Sequence, residues 1–256
     1  MFKPVCNARA LAISLALGTT LALPAQGAQL ASHWNLDETF GTQVVDSGPA
    51  GHDGTLAGGA SFVPGQGILG GALSLVSTTG SLVNMGNVLS LGEFPSGSFS
   101  IAAWVRSSTP STETQMIASK TDFTIQSGFA FGFNPTGGGG FDGSAVFFVI
   151  SATPSGVIST TPVNDGQWHL VVGTYAPPPG VSQIFVDYGP AESTVASPAY
   201  TSNSANFLLG GVNINAQPVS YLTGLLDEVK VFDGVLSQAE VEALYSVEGI
   251  FHDGFD

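Results

Sequence analysis

Short apolar runs recur at close intervals along the chain, and this spacing constrains the fold more than any other feature of the sequence. Nine runs of four to eight residues are separated by segments rich in Gly, Pro, Ser and Asn. The runs are 30–36, 72–76, 99–106, 129–133, 145–151, 168–175, 183–187, 206–209 and 225–232. Such spacing is typical of an all-β sandwich or barrel.

The run 99–106 shows the alternation of a strand with one apolar face. Phe99, Ile101, Ala103 and Val105 occupy the odd positions, and the run ends at the charged Arg106. Because successive side chains of a strand point to opposite faces, the odd positions are predicted to lie in a core.

One helix is predicted, after the last strand. Ser237 and Glu240 have the spacing of a capping box, in which the two side chains satisfy free backbone N–H groups at a helix start. Val241, Leu244 and Tyr245 then follow on one stripe. The sequence therefore predicts an all-β fold closed by one short C-terminal helix.

The N-terminus has the pattern of a secretory signal peptide. A basic start is followed by 14 uncharged residues at 10–23 and by small residues near a predicted cleavage site between Ala25 and Ala28. The uncharged run is shorter than the roughly 20 residues that span a bilayer. Residues 1–27 are thus predicted to direct export to the periplasm, the cell surface or the medium. The only cysteine, Cys6, leaves with this segment.

The remaining chain is strongly acidic. We expect one domain at 29–247 and a short tail at 248–256, because all-β domains of 200 to 250 residues are ordinary. Removal of Lys3 and Arg9 leaves three basic residues against the 19 acidic ones, a net charge of −16. Such a surface repels phosphate backbones and anionic lipid, which argues against nucleic-acid and membrane partners. A monomer is expected, with neutral polymers and divalent cations left as ligands.

Four parts of the chain, taken in order, resemble the landmarks of laminin-G-like jelly-roll domains of the concanavalin A-like superfamily. They are 33–56, 70–105, 165–187 and 222–241. The resemblance implies a two-sheet antiparallel jelly-roll sandwich whose first and last strands lie side by side. It also implies an extracellular recognition module for a glycan or a protein, in some members with calcium.

Asp227 is the first candidate for chemistry. Alternation within its strand predicts that its carboxylate points towards the core, where a buried charge needs partners. Backbone N–H groups are one kind of partner and a calcium ion is another, since calcium takes carboxylate and carbonyl oxygens. The implied strand neighbourhood would bring Asp37 or Glu38 near, so Asp227 and Asp37 are the predicted calcium ligands. Glu228, on the opposite face, is expected to be solvated.

Aromatic residues raise the question of sugar stacking. Trp34, Trp104 and Trp168 lie inside strand patterns and are expected to be core residues. A glycan platform is more consistent with loop residues, of which the candidates are Tyr188, Tyr200, Tyr221, Phe141, Asn213 and Asn215.

Motifs for other functions lack their structural context. The stretch 65–70 matches a dinucleotide-binding glycine pattern by letter, but a strand follows it where a helix is required. The four histidines do not pair at zinc-ligand spacing, and no Glu-x-Asp-x-Glu motif of a glucanase occurs. We therefore expect a binding module and not an enzyme. An adhesion domain without a small ligand is the alternative, followed by a polysaccharide hydrolase or lyase with two carboxylates distant in sequence.

Overall fold

The chain folds into two sheets that pack face to face. The structure, a computed structural model, describes residues 27–90, 93–108, 113–134, 142–151, 155–177, 180–201 and 203–249, without the side chains of 193–197 and 249. Residues 1–26 of the predicted signal segment and residues 250–256 of the predicted tail lie outside the described residues, whereas Glu248 and Gly249 belong to the C-terminal helix.

Within the described ranges the chain forms 18 strands and one α-helix. In chain order these are β1 (Gln29–Trp34), β2 (Gln43–Val44), β3 (Gly54–Ala57), β4 (Ser61–Phe62), β5 (Leu73–Leu75), β6 (Leu82–Asn84), β7 (Phe99–Arg106), β8 (Gln115–Asp122), β9 (Ser127–Phe133), β10 (Ser144–Ile150), β11 (Ser155–Pro162), β12 (Trp168–Ala176), β13 (Gly180–Val186), β14 (Glu192–Ser197), β15 (Leu208–Leu209), β16 (Val212–Ile214), β17 (Gln217–Val219), β18 (Gly224–Asp233) and α1 (Gln238–Gly249).

The strand order is that of a jelly-roll sandwich. The first sheet runs β14-β13-β12-β7-β18-β5-β4, with β1 also paired to β18. The second runs β11-β10-β9-β8-β15-β6-β3-β2, with the β16–β17 hairpin attached at β8. Pairing is antiparallel apart from one parallel bridge between Asn213 and Asp122. The predicted all-β sandwich with one α-helix is confirmed, and so is the pairing of the first and last strands.

The main core lies between the two sheets. Phe99, Ile101, Ala103 and Val105 all belong to it, as their alternation predicts. Phe99 is at its centre and contacts five other aromatic rings at centroid distances of 5.0–6.0 Å. Aromatic pairs of this kind stabilise a core beyond the area that they bury.

A second apolar cluster covers the outer face of the first sheet, beneath α1. Trp104, Trp168 and Phe232 from the sheet pack there with Leu236 and Val241. The helix begins where the sequence predicts, because the Glu240 carboxylate accepts the Ser237 backbone N–H at 2.7 Å. Both faces of β7 are therefore buried.

Strand β18 contains a β-bulge that changes which side chains face the core. The register against β7 shifts between Asp227 and Lys230, and Glu228 takes the left-handed conformation with φ 50°. An extra residue reverses the alternation, so that Leu226 and Val229 face the inter-sheet core while Asp227 lies on the outer face opposite Trp104. The prediction that the Asp227 carboxylate points towards the core between the sheets is therefore wrong.

Candidate ligand-binding groove

A groove of about 360 Å³ lies on the outer face of the second sheet, beside the β16–β17 hairpin. Its volume is at the lower end of the roughly 300–1,000 Å³ usual for ligand sites. It is lined by Leu82, Asn84, Asp122, Ile125, Ser204, Ala205, Asn206, Leu208, Asn213, Ala216 and Pro218. Among these lining residues none is basic.

One wall of the groove is the hairpin turn, which Asp122 holds in place. Its Oδ2 accepts the Ala216 N–H at 2.5 Å, and its Oδ1 accepts the N–H groups of Asn215 at 3.2 Å and Thr124 at 3.0 Å. The hydrogen bond from the Thr124 hydroxyl lowers the pKa of Asp122. Asn215 and Ala216 have φ values of 53° and 58°, as a two-residue type I′ turn requires. Since alanine is disfavoured there, the carboxylate compensates for a strained turn.

The groove offers free amide groups above an apolar floor. Leu82 and Leu208 form part of the floor, and both are buried. The side chains of Asn206 and Asn213 are half-buried and hydrogen bond to no other described residue. An amide both donates and accepts, so this pattern suits a ligand rich in hydroxyl groups and without charge. Of these groove residues, the sequence singled out only Asn213.

Asp227 is completely buried, as predicted, but under the 67–71 turn. Its Oδ2 accepts the Leu69 N–H at 3.1 Å and its Oδ1 accepts the Glu228 N–H at 2.8 Å. Gly67 is required there, because a Cβ would collide with the carboxylate. Burial raises the pKa of Asp227 to about 8, and the charge of Glu228 adds to this shift.

Asp37 supports the far side of the same turn. It is exposed, and its Oδ1 accepts the Gly71 N–H at 2.6 Å while its Oδ2 accepts from Asn35 Nδ2 at 3.1 Å. Glu38 is directed elsewhere and accepts the Val45 N–H at 2.7 Å. The described part of the chain holds no group of three or more His, Cys, Asp or Glu side chains suited to a metal. Calcium binding by Asp227 and Asp37 stays a prediction.

Glu228 is buried in a chain of charged groups, so its predicted exposure is wrong. Its Oε2 is paired with Lys230 Nζ and lies 2.7 Å from His33 Nε2. Lys230 in turn contacts Glu248 Oε1 at 2.7 Å, and Trp104 Nε1 donates to Glu248 Oε2 at 2.6 Å. The bulge directs the Glu228 side chain towards Lys230, and this buried ionic chain joins α1 to the first sheet.

The histidine at 169 joins two loops at one end of the sandwich. Its Nδ1 lies 3.0 Å from Asp187 and its Nε2 lies 3.1 Å from Asp165. Burial opposes the charged form of the ring, but the hydrogen bonds and charges of the two carboxylates outweigh it and raise the pKa of His169. The two carboxylates approach opposite ring nitrogens, so His169 forms an ion pair with each and joins the two loops.

The aromatic predictions have mixed outcomes. Trp34, Trp104 and Trp168 are buried, as expected. Tyr200 is wrong as a platform residue, because it is only 4% exposed and its hydroxyl donates to a backbone carbonyl. Tyr188 is exposed, Tyr221 is half-buried, Asn213 lines the groove, Asn215 is at the exposed turn, and Phe141 lies outside the described residues.

The fold and the groove together define a class, that of a jelly-roll sandwich with a ligand-sized depression on one outer sheet face. The sequence profile of the Laminin_G_3 family, described as the concanavalin A-like lectin/glucanases superfamily, matches residues 78–242. The chain belongs to this family. The turn 65–70 accordingly connects strands β4 and β5, and the nucleotide reading of its glycines stays excluded.

Solved structures share the same fold at low sequence identity. Domain 4 of AbnA, an extracellular GH43 arabinanase from Geobacillus stearothermophilus, in complex with arabinotriose, is 21% identical with a TM-score of 0.65, over 86% of this chain and 100% of that one. The receptor-binding domain of botulinum neurotoxin type G is 15% identical with a TM-score of 0.60, over 86% of this chain and 51% of that one. The binding domain of Paraclostridial Mosquitocidal Protein 1 is 12% identical with a TM-score of 0.63, over 86% and 52%.

The chain thus spans about half the length of the two toxin chains. No curated protein matches it. In the part of the chain that the structure describes, each helix is too short or too polar to cross a bilayer.

Proposed function

We propose that this protein is an exported binding module that holds an uncharged extracellular glycan in the groove on the second sheet. The observation that carries the proposal is the groove itself, where free amides of Asn206 and Asn213 stand over a floor of buried leucines. Sugar hydroxyls match the amides, and the apolar faces of sugar rings match the floor. The acidic chain disfavours anionic polysaccharides, and so does the lack of a basic residue among the described residues that line the groove.

Structural relatives support the binding role by analogy. The arabinanase domain was solved with an arabinotriose, the botulinum domain is named for receptor binding, and the mosquitocidal domain is named as a binding domain. Because one fold serves many functions, this analogy adds weight only beside the groove chemistry.

The carboxylates of the groove support the proposal of a non-enzymatic role. Hydrolysis of a glycosidic bond generally needs two carboxyl groups about 5–10 Å apart. Asp122 is the one carboxylate among the described lining residues, and its oxygens are occupied by backbone N–H groups of the hairpin turn. It therefore acts as a support of the wall.

The test is a glycan array with the mature chain, followed by titration of the best neutral oligosaccharide. The double variant Asn206→Ala and Asn213→Ala is expected to weaken binding roughly tenfold or more, since each lost hydrogen bond contributes about 1 kcal/mol. Asn164→Ala, a matched change outside the groove, should leave the affinity unchanged. Equal affinities of the wild type and the double variant would contradict the proposed site.

Other outcomes of the array favour the alternatives. Silence on every glycan together with capture of one defined protein would favour an adhesion domain. Release of reducing ends from a polysaccharide would show a hydrolase.

Sedimentation of the mature chain checks the proposed monomer, and N-terminal sequencing of the exported protein checks cleavage between Ala25 and Ala28.

Calcium is tested separately from the groove. If Asp227 and Asp37 bind the ion, the melting temperature of the native chain rises with calcium and falls with chelator, because a ligand of the folded state stabilises it. The same melting temperature in both conditions would leave the two residues as supports of the 67–71 turn.

A further inference from the structure

The second wall of the groove is fixed by a buried lysine that the sequence did not reveal. Ser204, Ala205 and Asn206 line the groove on this side, and together with the preceding Asn203 we call this segment the 203–206 wall. Lys120 lies behind it, on β8, and its side chain is completely buried. Nothing in the proposed binding contacts uses this lysine directly.

Lys120 holds the wall at several points. Its Nζ donates to the carbonyl oxygen of Ala205 at 2.5 Å, to Asn87 Oδ1 at 2.6 Å and to the carbonyl oxygen of Asn203 at 3.5 Å. Its own carbonyl oxygen accepts from Asn203 Nδ2 at 3.2 Å. Gly128 is required opposite, because a Cβ there would overlap this carbonyl.

The three acceptors match the three donors of an ammonium group. A lysine ammonium has three N–H donors and no acceptor, whereas the neutral amine has two donors and a lone pair. After loss of the proton one of the three oxygens would face that lone pair and lose its partner. The position of the wall is therefore coupled to the protonation of the lysine.

Few charged groups face Lys120. Glu93, from the segment after β6, acts on it through its charge, and His52 lies 3.3 Å from that carboxylate. Burial raises the pKa of Tyr200, so this phenol keeps its proton while the lysine titrates. Asp122, on the same strand, is committed to the hairpin turn. Burial lowers the pKa of Lys120 to about 8, and the charge of Glu93 opposes this shift.

We infer that Lys120 is a positioning residue of the groove, whose ammonium holds the 203–206 wall in the geometry that binds the ligand. The inference rests on the proposed function for its ligand, but the coupling of lysine and wall does not. Removal of the proton loosens the wall and weakens binding while the sandwich stays folded.

The first experiment needs neither a variant nor a ligand. In the native chain, the backbone amide resonances of Ala205 and Asn206 should shift with the same midpoint, near pH 8, as the side-chain carbon resonance of Lys120. Amides of β10, which lies two strands from β8 in the same sheet, should not share that midpoint. Wall resonances that stay constant while the lysine titrates would overturn the inference.

The second experiment measures affinity for the neutral oligosaccharide selected by the array. At pH 9 only about one tenth of the molecules would carry the charged lysine, so the affinity should be roughly tenfold lower than at pH 7. Lys120→Gln should bind weakly at both pH values. Arg106→Gln, which removes a half-buried cation of the first sheet, should retain the wild-type pH dependence.

The outcomes separate the two proposals. Binding with equal affinity at pH 7 and pH 9 would overturn the role of Lys120 and leave glycan binding intact. Silence on all glycans with a wall that still titrates would overturn the proposed function and retain the coupling.

Discussion

The buried carboxyl group of Asp227 predicts that the free energy of unfolding depends strongly on pH. Burial raises the pKa of its carboxyl group from 3.8 to about 8 in the folded chain. Between these values the folded chain holds a proton that the unfolded chain has released. Stability therefore falls as pH rises, because the unfolded state binds fewer protons. This contribution is complete below about pH 4 and is lost as pH passes through 8.

The magnitude follows from the linkage relation. One proton changes the free energy of unfolding by about 1.4 kcal/mol per pH unit, so the interval from pH 5 to pH 8 corresponds to roughly 3–4 kcal/mol. The group is completely buried, so solvent screening does not reduce this figure substantially. Such a loss is a large share of the roughly 5–15 kcal/mol by which domains are stable.

The matched variant is Asp227→Asn, which cannot titrate. Its amide oxygen can replace one acceptor, but its NH₂ group would face the Leu69 or Glu228 N–H, at a pH-independent cost of about 1–3 kcal/mol. Urea unfolding of both chains at pH 5, 6, 7 and 8 gives the difference in slope, from which titrations common to both cancel. Parallel curves, within about 1 kcal/mol across this range, would refute the reasoning.

Two further predictions concern the ionic contacts. Glu248→Ala leaves the Trp104 indole N–H without its acceptor and leaves Lys230 with Glu228 as its remaining partner. The free energy of unfolding in urea should therefore fall by about 3–5 kcal/mol. A loss below about 1 kcal/mol would show that α1 is held by apolar contacts alone. Because the pKa of His169 is raised in the folded chain, its charged ring stabilises the fold below about pH 6.5, and this contribution is lost as pH rises through the folded pKa. The melting temperature of His169→Gln should therefore decline less than that of the wild type between pH 5.5 and pH 8.5.

Much of the sandwich could be predicted because its core strands are locally regular. The alternation at 99–105 specifies a core face, and the Ser237–Glu240 cap specifies where α1 begins. Both signals depend on residues close together in the chain, which is why the sequence reveals them.

Strand β8 escaped prediction because its buried side chains are largely polar. Ser119, Lys120 and Asp122 are all buried, and each has a hydrogen-bond partner 83 to 94 residues away in the chain. Local pattern reading treats such residues as exposed. The groove is built on this strand, so the same non-local contacts hid the site.

The bulge in β18 explains the errors at Asp227 and Glu228. Alternation assumes that each residue advances the strand by one step, and the inserted residue at Asp227–Glu228 breaks that assumption. The residue in the left-handed conformation, at φ 50°, is a glutamate and not a glycine, so the sequence carries no glycine that would indicate a bulge here. The prediction of a buried Asp227 was right, whereas its face and the exposure of Glu228 were wrong.

The few lysine and arginine residues in the described part of the chain are largely withdrawn from the surface. Beyond residue 27 they are Lys120 and Lys230, both buried, and Arg106, which lies half-buried with its guanidinium 5.3 Å from the centroid of the Trp168 ring. Proteases that cut after lysine or arginine would find few accessible sites until the sandwich opens. Loss of resistance to trypsin-like enzymes at these three positions would thus report global unfolding of the sandwich.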